Sequence, residues 1–261
     1  MQKEIEWLLR EKYNGKLNKN FNKDVKRLKV GEPVDYVIGF TEFLGCKIDL
    51  SKKPLIPRPE TEYWVAEAIE KLKKDNRVLR ILDIFAGSGC IGVSIVSRLQ
   101  SNRRSLMALP SGRHFNGVKV VFAEKDKKLT EQIKINYKIN QIPKNKYEII
   151  QSDIFSNITG KFDYIFANPP YIPTTRKSNI QKAVLKYEPT MALFGGKDGL
   201  LYIRKFLAEA KNFLKPGGKI SMEFDSIQKK QIEKLVANLN YKSWKFHKDQ
   251  YEKWRWVIIK N

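Results

Sequence analysis

Asn168-Pro169-Pro170-Tyr171 follows directly on the apolar run Tyr164-Ile165-Phe166-Ala167, and that juxtaposition implies a definite chemistry. An apolar run opened by Phe162-Asp163 reads as a buried strand of a parallel sheet. The tetrapeptide then falls at the strand's carboxyl end, where α/β proteins bind ligands. Two successive prolines forbid further ladder pairing and stiffen the turn. An amide or aromatic amine is a poor nucleophile because its lone pair is delocalised. The side-chain oxygen of Asn168 and the carbonyl of Pro169 can each accept one of its N–H bonds, which holds the nitrogen and raises its electron density. Tyr171 can lie flat against the planar group, excluding water and orienting the attack. The turn therefore suits methyl transfer onto a planar nitrogen, with Asn168, Pro169 and Tyr171 as candidate catalytic residues and Pro170 completing the acceptor site.

A donor site is readable upstream. A first strand at 78–84 runs into Asp83-Ile84-Phe85-Ala86-Gly87-Ser88-Gly89. Gly87 and Gly89 let the backbone pass close to a ligand, and the helix that follows at 90–99 offers its first N–H groups to a carboxylate. Asp83 can receive an ammonium. A ligand with both an α-carboxylate and an α-amine fits, and S-adenosylmethionine has both. Gly87, Gly89 and Gly92 also satisfy G-x-G-x-x-G, so a nicotinamide or flavin site is the rival reading.

Glu124 ends a second strand at 118–124, placed to chelate two ribose hydroxyls. It lies further from the glycines than the usual interval of about 20 residues. The excess is a polar insert at 100–117 with Arg103, Arg104, Arg113 and His114, which reads as a solvated loop. Asp153, just past a third strand at 148–151, can accept from an adenine amino group, with Ile154 and Phe155 packing either on the ring or in the core. The fourth strand separates the rivals, since hydride transfer has no use for an amide-clamping turn.

Strand and helix patterns alternate through these segments, which predicts a doubly wound, mostly parallel sheet. A helix at 200–214, a fifth strand at 219–224, a helix at 227–239 and a terminal strand at 254–259 complete the alternation. Upstream, 61–73 carries an amphipathic helix through Trp64, Val65, Ala68, Ile69 and Leu72. Residues 34–50 read as short strands around glycine turns, a hairpin, followed by a proline-punctuated connector at 54–59. Residues 1–30 read as helical, too short for an independent domain. The expected organisation is a helical segment at 1–30, a hairpin and connector at 31–60, and a catalytic domain at 61–261.

The 261 residues hold 50 Lys and Arg against 28 Asp and Glu, a formal net charge of +22. This balance suits contact with nucleic acid but does not require it: the lysines are spread along a chain also rich in Ile and Asn. No apolar stretch is long enough to cross a bilayer, and the charged start argues against a leader. Only Cys46 and Cys90 occur, without metal-ligand spacing, so no metal is expected, and a reduced, cytoplasmic compartment fits.

These motifs, in this order, resemble the HemK-type protein-(glutamine-N5) methyltransferases of peptide chain release factors. Pro54-Leu55-Ile56-Pro57-Arg58-Pro59-Glu60-Thr61-Glu62 is similar to that family's connector signature. Tyr187-Glu188-Pro189, Ala192-Leu193 and Gly195-Gly196-Lys197-Asp198-Gly199-Leu200 are similar to its segment after the Asn-Pro-Pro-Tyr turn, and Phe40-Thr41-Glu42-Phe43 to its entry sequence. The resemblance covers 31–261. It implies a class I S-adenosylmethionine-dependent methyltransferase fold with a Rossmann-like seven-stranded sheet, and a cofactor site at Phe85, Ala86, Gly87, Ser88, Gly89, Glu124, Asp153, Ile154 and Asn168. It also implies that Asn168 to Tyr171 hold the glutamine of a Gly-Gly-Gln tripeptide in a release factor. Ile154 stands where the family commonly has an aromatic, and the helical segment at 1–30 stands where it has a larger helical domain. The alternative acceptor is an exocyclic amine of RNA or DNA, which related Asn/Asp-Pro-Pro-aromatic turns also serve.

Overall fold

The computed structural model describes residues 1–106 and 117–261. Seven strands form one sheet: β3 (Leu79–Ile84), β4 (Val118–Glu124), β5 (Tyr147–Gln151), β6 (Phe162–Ala167), β7 (Leu214–Glu223), β8 (Ser243–Lys248) and β9 (Trp254–Lys260). Their order is β5-β4-β3-β6-β7-β9-β8. The first five run parallel, while β9 is antiparallel to both β7 and β8. The β3 and β6 runs are buried almost throughout, as strands covered on both faces must be.

The chain steps outward from β3 to β4 and β5 on one side, then returns to β6 on the other. That reversal is the topological switch point, where open α/β sheets bind ligands. Ile84 lies opposite Ala167 across the β3–β6 pair. The glycine loop and the Asn-Pro-Pro-Tyr turn therefore leave the sheet side by side.

Helices α4 (Pro59–Leu72), α5 (Cys90–Leu106), α6 (Lys127–Ile139), α9 (Leu201–Ala210) and α10 (Lys229–Asn238) cover the two faces, while the short α7 (Lys182–Tyr187) and α8 (Thr190–Leu193) lie in the segment after the turn. The long helices close two apolar clusters, one around Trp64, Phe122 and Phe166, the other around Ile165, Phe206 and Phe224. Gly92 seats α5 on the sheet: a Cβ there would fall 2.3 Å from the Phe122 ring. α5 runs on to Leu106 rather than ending near Leu99, so Arg103 and Arg104 fall on helical backbone. The loop reading of 107–116, with Arg113 and His114, lies outside the described residues.

The N-terminal region differs from expectation. α1 (Gln2–Tyr13), α2 (Lys19–Lys29) and α3 (Val34–Ile38) share an apolar cluster of Leu8, Phe21, Leu28, Val34, Val37 and Ile38. Val34–Ile38 is helical, not extended; four of its five side chains are buried, and Gly39 ends it in the left-handed conformation at φ 99°. Only β1 (Phe40–Phe43) and β2 (Cys46–Asp49) form the expected hairpin. The outer edge of β2 and the residues after it lie along a column of amides on α6 and its C-cap. Asn140 Oδ1 accepts from Lys47 N at 3.1 Å, Asn136 Oδ1 from Asp49 N at 2.8 Å and Gln132 Oε1 from Lys52 N at 2.8 Å. Spaced by four, the three amides share one helix face and satisfy backbone groups that would otherwise be open.

Candidate active site

A cleft of about 280 Å³ opens at the carboxyl ends of β3, β4 and β6. Its floor is the glycine loop. Phe85 and Gly87 have φ of 60° and 56°, and Ile154, across the cleft, has 53°. Two non-glycine residues in the left-handed region, both lining one cleft, store backbone strain where a ligand would benefit from a fixed wall. A Cβ on Gly87 would meet nothing nearer than 4.0 Å, so the loop is open to a close-approaching ligand on that side. The Phe85 ring meets Tyr202 edge-on at 6.2 Å. Ser88 is held from behind, its carbonyl accepting from Asn136 Nδ2 at 2.9 Å.

Glu124 is buried at the end of β4 and faces the same space. One carboxylate oxygen accepts from Gly87 N at 2.7 Å, the other from Asp126 N at 2.8 Å. Burial pushes its carboxyl above the ordinary range, against the pull of these backbone donors. Each oxygen retains a lone pair for a hydroxyl donor. Asp153 and Ile154 line the far side; Asp153 is exposed and pairs with Lys125 at 2.7 Å. Phe155 is core, stacked on Phe213 at 4.4 Å.

Four expected site residues, Asp83, Gly89, Pro169 and Tyr171, do not line the cleft. Asp83 is 1 % exposed and does not line the cleft. Its Oδ2 accepts from Gly92 N at 2.9 Å while Oδ1 has no partner. Burial, opposed by the Gly92 N–H and reinforced by Glu124, raises its pKa to about 8. Strand geometry explains this: alternate residues of β3 face opposite sides, and Asp83 turns toward α5. Tyr171 does not lie over the cleft either. Its hydroxyl donates to Glu223 Oε1 at 2.9 Å and its ring packs into the core. Pro169 is buried, and on this side the cleft is lined by Asn168 and Pro170. Cys90 reaches the cleft but burial lifts its thiol to about 12, so it stays protonated.

The segments around the turn explain its shape. Gly195 and Gly199 press against it: a Cβ on either would fall 2.4 Å from the Pro170 carbonyl oxygen or 2.1 Å from that of Tyr171. Gln228 Nε2 donates to the Tyr171 carbonyl at 2.8 Å. Over the cleft, Arg58 donates to both oxygens of Glu188, at 2.6 and 2.8 Å, tying the connector to the segment that follows the turn. Arg58 together with Pro189 and Met191 thus forms a roof.

Sequence reasoning missed the acid beneath this site. Glu223, 1 % exposed at the end of β7, accepts from Thr61 Oγ1 and Trp64 Nε1, each at 2.7 Å, besides Tyr171. Thr61 Oγ1 in turn accepts from Asn168 Nδ2 at 3.3 Å. No local pattern marks Glu223, because its partners lie 52, 159 and 162 positions away. Among the described residues no group of three His, Cys, Asp or Glu could hold a metal, and no helix is long and apolar enough to cross a membrane.

The features that S-adenosylmethionine requires are present: an open glycine loop at a helix N-terminus, a buried acid at the end of the second parallel strand and a polar group at the end of the fourth. Residues 90–253 match the family model described as Eco57I restriction-modification methylase. The chain is 23 % identical to a solved methyltransferase from Pyrococcus furiosus, with a TM-score of 0.54 over 93 % of this chain and 98 % of that one. It is 18 % identical to the Thermus thermophilus 16S rRNA N2 G1207 methyltransferase, solved with S-adenosylmethionine and guanosine, at a TM-score of 0.56 over 85 % and 49 % of the two chains. These likenesses establish the class I methyltransferase fold. A release factor glutamine methyltransferase of Lactococcus lactis is 33 % identical over 259 residues, 98 % of this chain and 88 % of that protein. That match takes in the hairpin, connector and roof as well as the catalytic sheet, and by it the chain belongs to the release factor glutamine methyltransferase family.

Proposed function

We propose that the protein transfers the methyl group of S-adenosylmethionine to the side-chain amide nitrogen of a glutamine, in the Gly-Gly-Gln tripeptide of a peptide chain release factor. The observation that carries this is the position of Asn168. It lines the cleft beside Ala86 and Glu124, with its Nδ2 turned back onto Thr61, so its oxygen is free to accept from an incoming N–H.

In this reading the glycine loop from Phe85 to Gly89 and the N-terminus of α5 hold the amino-acid end of the donor, Glu124 the ribose, and Asp153 with Ile154 the adenine. When bound, S-adenosylmethionine supplies an electrophilic methyl on a sulfonium. The chain supplies orientation. Asn168 Oδ1 and the Pro169 carbonyl fix the amide nitrogen, and burial of the turn excludes water. No strong base is needed, because the amide proton can leave after the new C–N bond forms. The roof of Arg58 and Glu188 presents the connector where an inserted peptide loop would pass.

The second reading, an exocyclic amine of RNA or DNA, draws on the family-model match over residues 90–253. That stretch omits the hairpin and connector, which the release-factor relative shares. Intact-mass measurement of purified release factor after incubation with enzyme and S-adenosylmethionine, beside RNA and DNA pools, tests both. A gain of one methyl on the tryptic peptide holding Gly-Gly-Gln is the expected result; a methylated base instead would make the second reading correct.

A further inference from the structure

A buried chain of hydrogen bonds runs from the core to the candidate catalytic amide, and its donor and acceptor polarity is determined at one end. Trp64 Nε1 is only a donor. The indole is fully buried and stacked on Phe166 at 6.0 Å, so it cannot turn away from Glu223 Oε2. Oε2 must therefore act as an acceptor. Thr61 Oγ1 also meets Oε2, at 2.7 Å, and has a single proton, which it spends there. Toward residue 168 the Thr61 oxygen is left as an acceptor only. The group it meets must then be a donor, Asn168 Nδ2, and the Asn168 oxygen is turned into the cleft. With the Glu223 carboxylate accepting from Thr61, Trp64 and Tyr171 alike, this polarity is complete.

We propose that Glu223, acting through Thr61, is the positioning residue that fixes which way round the Asn168 amide sits, and so selects an acceptor nitrogen that donates N–H bonds. The proposal rests on Asn168 acting as the amide clamp. It also explains why position 168 carries an amide rather than a carboxylate: Asn168→Asp would set one lone pair against another at Thr61. Glu223 touches neither substrate nor donor; its effect reaches the chemistry only through the hydroxyl of Thr61.

The test is a set of variants of the full chain, assayed for methyl transfer to a release factor and for S-adenosylmethionine affinity by calorimetry. Thr61→Val removes the hydroxyl at nearly constant shape, and should lower kcat by roughly ten- to a hundredfold with cofactor affinity unchanged. Thr61→Ser keeps the hydroxyl and should retain activity. Glu223→Gln can present its oxygen to Trp64 and Thr61 and its amide nitrogen to the Tyr171 oxygen, so it too should retain activity. The decisive readout is a cycle with Asn168→Asp. That substitution should cost clearly less in the Thr61→Val background than alone, because the lone-pair conflict is gone. Thr61→Ala serves the same cycle if the valine variant does not fold. Additive losses, or a Thr61→Val enzyme with wild-type kcat, would overturn the proposal. Wild-type enzyme that leaves the glutamine unmodified would overturn the proposed function instead.

Discussion

Arg58 and Glu188 are 130 positions apart in the chain, yet the guanidinium reaches both oxygens of the carboxylate, at 2.6 and 2.8 Å. Glu188 also accepts from Ile56 N at 3.3 Å, and its side chain is 1 % exposed. One acid thereby ties together the connector and the segment behind the catalytic turn. Arg58→Ala would leave that carboxylate buried with a single weak donor. Because Arg58 is itself a third exposed, the expected loss is about 1–3 kcal/mol of folding stability. The Michaelis constant for the protein substrate should rise with it, since the roof is no longer held. Urea titration and steady-state kinetics measure the two effects; a stable variant with an unchanged constant would detach the pair from the site.

Asn168→Ala should abolish methylation while leaving S-adenosylmethionine bound. In the proposed reading the side chain is one of two acceptors for the substrate amide, and losing an orienting contact in a desolvated site costs on the order of a hundredfold or more in rate. Calorimetry on the inactive variant reads the cofactor. Lost binding would mean that Asn168 serves the donor rather than the acceptor.

Glu124→Ala should weaken S-adenosylmethionine binding. Each charge-assisted bond to a ribose hydroxyl contributes about 1.5–3 kcal/mol. The same change frees Gly87 N, which the carboxylate now holds at 2.7 Å, so the glycine loop should lose order as well. Glu124→Gln retains an acceptor for Gly87 and separates the two effects by isothermal titration and amide exchange at 86–89. Full affinity in a folded Glu124→Ala protein would shift the ribose contact elsewhere, with Asp126 the nearest acid.

Asp83 should make the fold less stable as pH rises. Burial lifts its pKa from 3.8 to about 8, so the folded state binds a proton that the unfolded chain releases. The contribution is complete below the unfolded pKa, near 4, and declines through the folded value of about 8. Within that window the slope from this one group approaches about 1.4 kcal/mol per pH unit. Asp83→Asn keeps an acceptor for Gly92 N and carries no charge, so its stability curve from about pH 5 to pH 8 should be flatter than the wild type's. Parallel curves from denaturant titrations at several pH values would show that Asp83 is ionised in the fold.

Much of the sheet was legible because its strands are short apolar runs between glycine and proline punctuation. The two motif loops needed only the switch-point rule to be placed side by side. Val34–Ile38 misled because Val-Asp-Tyr-Val-Ile has a strand's composition; the helix exists because packing against Leu8 and Leu28 outweighs propensity. β8 does alternate, with Trp244 and Phe246 toward the core, but four lysine, serine and histidine neighbours mask the pattern, and no strand is assigned there from the sequence. In the site, Gly87, Glu124 and Asn168 announce themselves by their place at strand ends. Asp83 occupies such a place too, and which way it turns follows from strand alternation rather than from motif. Thr61, Glu188 and Glu223 act through partners remote in sequence, and a single chain carries no trace of such pairings.

Asn136 holds the Ser88 carbonyl with its nitrogen and Asp49 N with its oxygen. Together with Gln132 and Asn140, it grips the hairpin segment at Lys47 N, Asp49 N and Lys52 N, and Gln132 Nε2 adds one side-chain contact by donating to Asp49 Oδ1 at 2.9 Å. Apart from Asp49, a joint of that kind is blind to the identity of the residues it grips. The outward side chains of β2 other than Asp49 can drift, or be exchanged for those of another family member, without loosening the seam, whereas a single change at Gln132, Asn136 or Asn140 would loosen it. Chimaeras that swap the front of the molecule through the hairpin should therefore keep Asp49, and those that fail should be repaired at Gln132, Asn136 or Asn140.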